Sequence, residues 1–169
     1  MALASAADPA LRTALQPADI TAVRTLVQAT GFFSSDEVGI AAELVEEALA
    51  RGAASGYRFL LLEHSGTLLG YTCYGEIPGT TGSYDLYWIV VAPDQQGRGY
   101  GRRLLEATEA YIGASGGRLV YAETSSRAQY APTRKFYEGT GFHAAARLPD
   151  FYAPGDGKVI YAKSLQPAG

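Results

Sequence analysis

Residues 90–105 read Val90-Val-Ala-Pro-Asp-Gln-Gln-Gly-Arg-Gly-Tyr-Gly-Arg-Arg-Leu-Leu105, and the order of residue types dictates the path of the chain. Apolar, β-branched residues run up to a proline, three glycines follow at alternate positions, and an amphipathic run begins at once. The stretch predicts a strand ending at Pro93, a glycine-rich turn, and a helix from Gly99 to about Ile112. Gly97, Gly99 and Gly101 let a backbone approach a ligand closely. The amides and positive dipole end at the start of such a helix favour an anion such as a pyrophosphate. Arg98, Arg102 and Arg103 bring positive charge to the same place. The simpler alternative is a strand-to-helix turn without a ligand, for which one glycine would suffice.

Two familiar phosphate motifs do not fit. A dinucleotide fingerprint needs G-x-G-x-x-G, and counting from Gly97 its last position is Arg102. A nucleotide P-loop needs Gly-Lys followed by Ser or Thr, and none follows Gly101. These spacings disfavour an oxidoreductase or a nucleotide-dependent enzyme.

What remains is Gln96-x-x-Gly99-x-Gly101 behind Val91-x-Pro93, which resembles the acetyl-CoA signature of the GNAT superfamily of N-acetyltransferases. A second stretch, Tyr130-Ala-Pro-Thr133-Arg-Lys-Phe-Tyr137-Glu-Gly-Thr-Gly141-Phe142, resembles the later helix of that superfamily, in which a tyrosine precedes a terminal Gly-Phe. The chain departs from the pattern at Tyr130 and Thr133, where the family has asparagine and alanine. The resemblance extends to the order of elements over nearly the whole chain.

It implies that Gln96, Gly97, Arg98, Gly99, Tyr100, Gly101 and Arg102 hold the pyrophosphate of acetyl-CoA, the acetyl donor, with Tyr130 also on the cofactor side. It implies that the backbone around Ile89 and Val91 pairs with the pantetheine arm like an added strand, and that an amide near Ile89 polarises the thioester carbonyl. Tyr137 takes the place of a tyrosine near the cofactor sulfur, where a phenol can protonate or stabilise the departing thiolate. Its alternative role is a buried tyrosine packed under the helix.

Amine acetylation also needs a neutral nucleophile, because an ammonium has no lone pair to attack a thioester. Asp85 falls where some GNAT enzymes carry a glutamate base on the strand before the motif, and it shares a strand face with Tyr87, Ile89 and Val91. Aspartate is one methylene shorter, so a bridging water fits the reach. Glu123, at the end of the next strand, is the rival. Either acid has the alternative of a hydrogen-bonded strand-end carboxylate.

Length and composition agree with one compact domain, which the resemblance makes a single GNAT-like domain over residues 10–165 behind a loose leader, residues 1–9, with a frayed tail at 166–169. At 47% hydrophobic and 18% charged, the 169-residue chain has ordinary globular content. A net charge of −3 argues against a nucleic-acid binder. Cys73 is the only cysteine, which excludes an intrachain disulfide and a thiolate cluster. Its β-rich surroundings suggest core packing and weaken a ping-pong route. His64 and His143 are too scattered to suggest a metal, so no metal is expected. Neither a secretory signal nor a membrane segment is readable, and a cytoplasmic location is the default.

The pass along the chain predicts a mixed α/β (α+β), mostly antiparallel sheet flanked by about four helices. A short strand spans Leu11–Leu15. Helices follow over Pro17–Ala29 and after a Ser34/Glu37 capping box, the two forming a lid over one end of the sheet. Tyr57–Glu63 and Thr67–Tyr74 make a hairpin around Ser65-Gly66, and Tyr84–Ala92 is the strand before the glycine turn. In the next helix Leu104, Leu105, Thr108, Tyr111 and Ile112 face the sheet, and Gly116-Gly117 ends it. Leu119–Glu123, a helix Pro132–Glu138, and strands Phe142–Leu148 and Val159–Lys163 around a loop Pro149–Gly157 complete the order.

Twelve tyrosines suggest an aromatic acceptor cleft from Tyr74, Tyr84, Tyr87, Trp88, Tyr121 and Tyr152, with Glu76, Asp85 and Asp150 receiving a cationic amine; sheet packing is the plainer role for most of them. The reading is an N-acetyltransferase that moves acetyl directly from acetyl-CoA to a primary amine, most simply a small molecule. A non-catalytic acyl-CoA sensor on the same scaffold is the alternative. A homodimer through sheet edges or exposed aromatics is compatible with the sequence.

Overall fold

Alternation of apolar residues and well-placed turn residues produce seven strands and four α-helices in the computed structural model, which describes residues 8–165. The strands are β1 (Ala10–Arg12), β2 (Arg58–His64), β3 (Thr67–Glu76), β4 (Ser83–Val91), β5 (Leu119–Ser125), β6 (His143–Ala153) and β7 (Asp156–Ser164). The helices are α1 (Ala18–Ala29), α2 (Ser35–Arg51), α3 (Tyr100–Ala114) and α4 (Ala131–Gly139). The strand order is β1-β2-β3-β4-β5-β7-β6. β4 and β5 run parallel, while β1 with β2, β5 with β7 and β6 with β7 run antiparallel. The expected tail lies outside the described residues, as does the expected leader apart from Asp8 and Pro9.

The chain divides into two compact units, one running through Cys73 and resuming at Trp88–Glu106, the other taking Tyr74–Tyr87 and the chain from Ala107 onward. In the first, α1 and α2 bury Val23, Leu26, Val27, Val38, Ala41, Val45 and Ala48 against Phe59 and Leu61 of β2, Tyr71 and Cys73 of β3, and Val90 of β4. Alternate residues of β2 and of β3 take part, so the helices cover one face of these strands. Ser34 and Glu37 form the capping box. Ser65 and Gly66 both have positive φ, 49° and 77°, as a two-residue turn of the twist-matched kind requires. Arg12 of β1 grips Asp19 of α1 with two bonds of 2.9 Å. Burial works against the Asp19 charge, yet Arg12 and the Gln16 N–H hold its carboxyl below the usual value.

In the second unit, Tyr84, Leu86, Val120, Ala122, Val159 and Tyr161 are buried, and the alternate positions form the other face. Both helix ends here are closed by the left-handed glycine the sequence predicts. Gly116 (φ 84°) ends α3, with Gly117 N–H bonded to Ile112 O at 2.9 Å. Gly141 (φ 94°) ends α4, with Phe142 N–H bonded to Tyr137 O at 3.0 Å. Leu104, Leu105, Thr108 and Ile112 are buried, but Tyr111 is 48% exposed, a correction to its expected sheet contact. The expected loop Pro149–Gly157 is also corrected. β6 continues to Ala153 and β7 starts at Asp156, because pairing with β7 overrides the local turn composition.

A Cβ on Gly117 would lie 2.2 Å from Ile112 Cγ2, whereas one on Gly113, inside α3, meets nothing within 4 Å. We expect Gly117→Ala to lose about 2 kcal/mol to overpacking and Gly113→Ala to gain about 0.5–1 kcal/mol from helix propensity, both read by urea unfolding.

Candidate active site

The glycine turn lies in the first unit. β4 ends at Val91, Pro93–Gln95 form a single tight helical turn, and α3 opens at Tyr100. Gly97 and Gly99 have φ of 78° and 81°, and a Cβ on either would meet open space. Backbone conformation, not crowding, therefore demands these glycines, and the space beside them is what a bound anion needs. Gly101 lies in the first turn of α3. Arg103 N–H bonds Gly99 O at 3.0 Å, so the amides ahead of it belong to the helix's N-terminal end. The Gln96 side chain donates to Val91 O at 3.3 Å, tying the turn back to the strand.

Gln96, Arg98 and Arg102 are exposed, while Ile89, Val91, Tyr100 and Arg103 are partly buried. Arg103 is spent on the Pro9 carbonyl at 2.8 Å, and Arg102 lies 3.9 Å from Glu106. Charge, open space and helix orientation fit a polyphosphate group.

Asp85, Glu123, Tyr130 and Tyr137 belong to the second unit. Asp85 sits opposite Tyr121 in the parallel ladder. Glu123 is two residues further on β5, so both acids share the face opposite the buried one. Burial first, then the Glu123 charge, raises the Asp85 carboxyl, and Lys158 opposes them. Glu123 is different: its Oε2 lies 2.6 Å from Lys158 Nζ on β7. The sequence reading missed Lys158, because the pair is joined only by the β5–β7 register, in which Lys158 faces Ser125. Tyr87 (40% exposed) and Tyr152 (49%) lie open, but Tyr74 and Tyr84 are core residues at 3% and 2%, which removes them from an acceptor cleft.

Tyr137 is 5% exposed, with ring centroids 5.3 Å from Phe142, 5.5 Å from Tyr161 and 5.7 Å from Phe136. The α4 end makes the first of these contacts, since its glycine cap returns Phe142 onto Tyr137. Burial pushes the Tyr137 phenol well above the ordinary tyrosine value. Tyr130 precedes α4 with the Arg127 guanidinium 5.6 Å from its ring centre. Among the described residues, no helix is long and apolar enough to cross a membrane.

Comparison with known proteins agrees with the topology. A family model described as the acetyltransferase (GNAT) family matches residues 32–142. The crystal structure of a GNAT-family protein from Desulfovibrio desulfuricans, assigned as an acetyltransferase, is 48% identical with a TM-score of 0.91, covering 95% of this chain and 99% of that one. The Escherichia coli ribosomal-protein-S18-alanine N-acetyltransferase is 23% identical (TM-score 0.73, 95% and 96% covered). An aminoglycoside 6'-N-acetyltransferase complexed with coenzyme A is 18% identical (TM-score 0.76, 95% and 99% covered). These last two share the fold. A search of curated protein sequences found no match. With the family model spanning more than half of the chain and a relative at 48% identity over 95% of it, the chain belongs to the GNAT family of acetyltransferases.

Proposed function

We propose that residues 10–165 act as one N-acetyltransferase domain that moves an acetyl group from acetyl-CoA directly to the primary amine of an acceptor. The observation that carries this reading is the turn between β4 and α3, where left-handed Gly97 and Gly99 open space beside the N-terminal end of a helix. Gln96–Arg102 hold the pyrophosphate there, and the partly buried backbone of Ile89 and Val91 takes the pantetheine arm. Tyr130 lies on the cofactor side. Bound acetyl-CoA supplies the acetyl group as an activated thioester.

Asp85 removes the proton from the acceptor ammonium, directly or through water. Its raised carboxyl, left without the ion pair that engages Glu123, suits a base. Tyr137 keeps its proton throughout the neutral range because it is buried, so it serves as donor to the departing sulfur and not as a base. The buried Cys73, its thiol pushed up by burial, is ill suited to carry an acetyl group.

The first test is thermal. Acetyl-CoA or CoA at about 100 times its dissociation constant should stabilise the protein by roughly 2.7 kcal/mol, and ATP or NADH should not. No shift with CoA would remove the reading of the turn. Binding without turnover across an amine panel would favour an acyl-CoA sensor.

Tyr137→Phe should lower kcat about 100-fold or more while the CoA-induced melting shift stays near wild type; an unchanged kcat would take Tyr137 out of the chemistry. The carboxylate titration of Asp85, followed by 13C NMR, should move in opposite directions in two variants. Glu123→Gln removes a negative neighbour and lowers the Asp85 pKa, whereas Lys158→Met removes a positive one and raises it.

A further inference from the structure

The β6 strand leaves regular pairing where the chemistry of the open face is richest. Leu148 pairs with Lys158 and Ala153 with Asp156, so Pro149, Asp150, Phe151 and Tyr152 together stand opposite Gly157 alone. Asp150 has φ 55°, and its carboxylate accepts the Gly155 N–H at 2.7 Å. A Cβ on Gly157 would lie 2.9 Å from the Leu148 carbonyl oxygen, which is why the bulge closes over a glycine.

The bulge brings two aromatic rings back over β7. Lys158 Nζ lies 3.9 Å from the Phe151 ring centre, 5.7 Å from that of Tyr152, and 2.6 Å from Glu123 Oε2. Phe151 and Tyr152 are 51% and 49% exposed, whereas the Lys158 side chain is only 13% exposed. An alkylammonium is thus held in a box of one carboxylate and two rings. Register puts that box on the face that carries Asp85, since Asp85 faces Tyr121 on β5 and Lys158 faces Ser125 on the same strand.

We propose that Lys158 is a specificity-determining residue for the acceptor: it fills the alkylammonium box from within, so that primary amines carrying a second cation are refused. This rests on the reading that the acceptor amine is deprotonated at Asp85. The box would suit the distal ammonium of a diamine or polyamine, since carboxylate and aromatic faces both attract such a group. With Lys158 in place, the Glu123 charge is already matched, and a second cation meets a fixed, desolvated like charge. Acceptors with an uncharged or acidic body escape that repulsion.

The test compares 1-aminohexane with 1,6-diaminohexane as acceptors by kcat/KM, in wild type, Lys158→Ala, Lys158→Arg, and Lys158→Ala combined with Phe151→Ala. Wild type and Lys158→Arg should favour the monoamine. Lys158→Ala should shift the ratio toward the diamine by about tenfold or more, and the double variant should lose most of that gain.

An unchanged ratio in Lys158→Ala, or a wild-type preference for the diamine, overturns the proposal. A melting scan without acetyl-CoA reads the box independently of turnover. The diamine should stabilise Lys158→Ala more than it stabilises wild type, and equal shifts overturn the proposal. Absence of turnover with any amine, alongside the expected melting shifts, counts against the acetyl-transfer reading and leaves the box standing.

Discussion

The parallel pairing of β4 with β5 is the constraint from which the candidate cofactor turn follows. Antiparallel neighbours can be joined by a tight hairpin, as β2 and β3 are through Ser65-Gly66, but parallel neighbours need a crossover. Here α3 is that crossover. The chain must therefore leave the C-terminal end of β4, reverse, and enter a helix within a few residues. Pro93 stops the strand, Gly97 and Gly99 take left-handed conformations that other residues resist, and Gln96 ties the turn to the Val91 carbonyl. The topology thus delivers a helix N-terminus beside an open, glycine-lined path, the general arrangement by which α/β folds bind anions at strand ends.

A second consequence of pairing is that two carboxylates on one sheet face have different surroundings. Glu123 meets Lys158 across the β5–β7 ladder, and its charge is matched at contact distance. Asp85 is half-buried, feels Glu123 as a like charge, and has Lys158 only as a weaker opposing influence. Sequence inspection preferred Asp85 and kept Glu123 as its rival. Their difference arises because β7 sits beside β5 and not beside β4.

Much of the fold was legible because it depends on local rules. The capping box at Ser34, the glycine ends of α3 and α4, and the hairpin at Ser65-Gly66 each need only a few adjacent residues, and each occurs where the residue types demand it. The features that escaped are set by partners distant in the chain. Pro149, Asp150 and Gly155 have turn composition, yet β7 supplies a ladder that extends β6 to Ala153 and absorbs the misfit as a bulge. Tyr111 occupies an apparently apolar helical position but lies open, since Leu104, Leu105, Thr108 and Ile112 already make up the buried stripe. Tyr74 and Tyr84 take the plainer of the two roles the sequence offered, sheet packing, since the pleat turns them into the core. Asp85 and Tyr137 were placed by resemblance to the family's motifs and Glu123 by its position at a strand end, but the lysine that distinguishes the two acids could be found only from strand register.

Burial acts on Asp85 and Tyr137 in the same direction and with opposite chemical effect. It raises both groups, making the carboxylate a stronger base and the phenol a weaker acid. A free thiol has a pKa of about 8.5 and an ordinary phenol about 10, so complete proton transfer from a tyrosine to a departing thiolate is uphill even before burial. The elevated phenol deepens that mismatch unless the sulfur is desolvated to a similar degree, which raises its own basicity. The useful contribution of such a phenol is therefore a hydrogen bond that strengthens as negative charge grows on sulfur, with the proton remaining mostly on oxygen. The aromatic packing around Tyr137 suits that role better than outright acid catalysis. It fixes the ring by Phe142 and Tyr161 and holds the proton in place, as the proposed donor role requires.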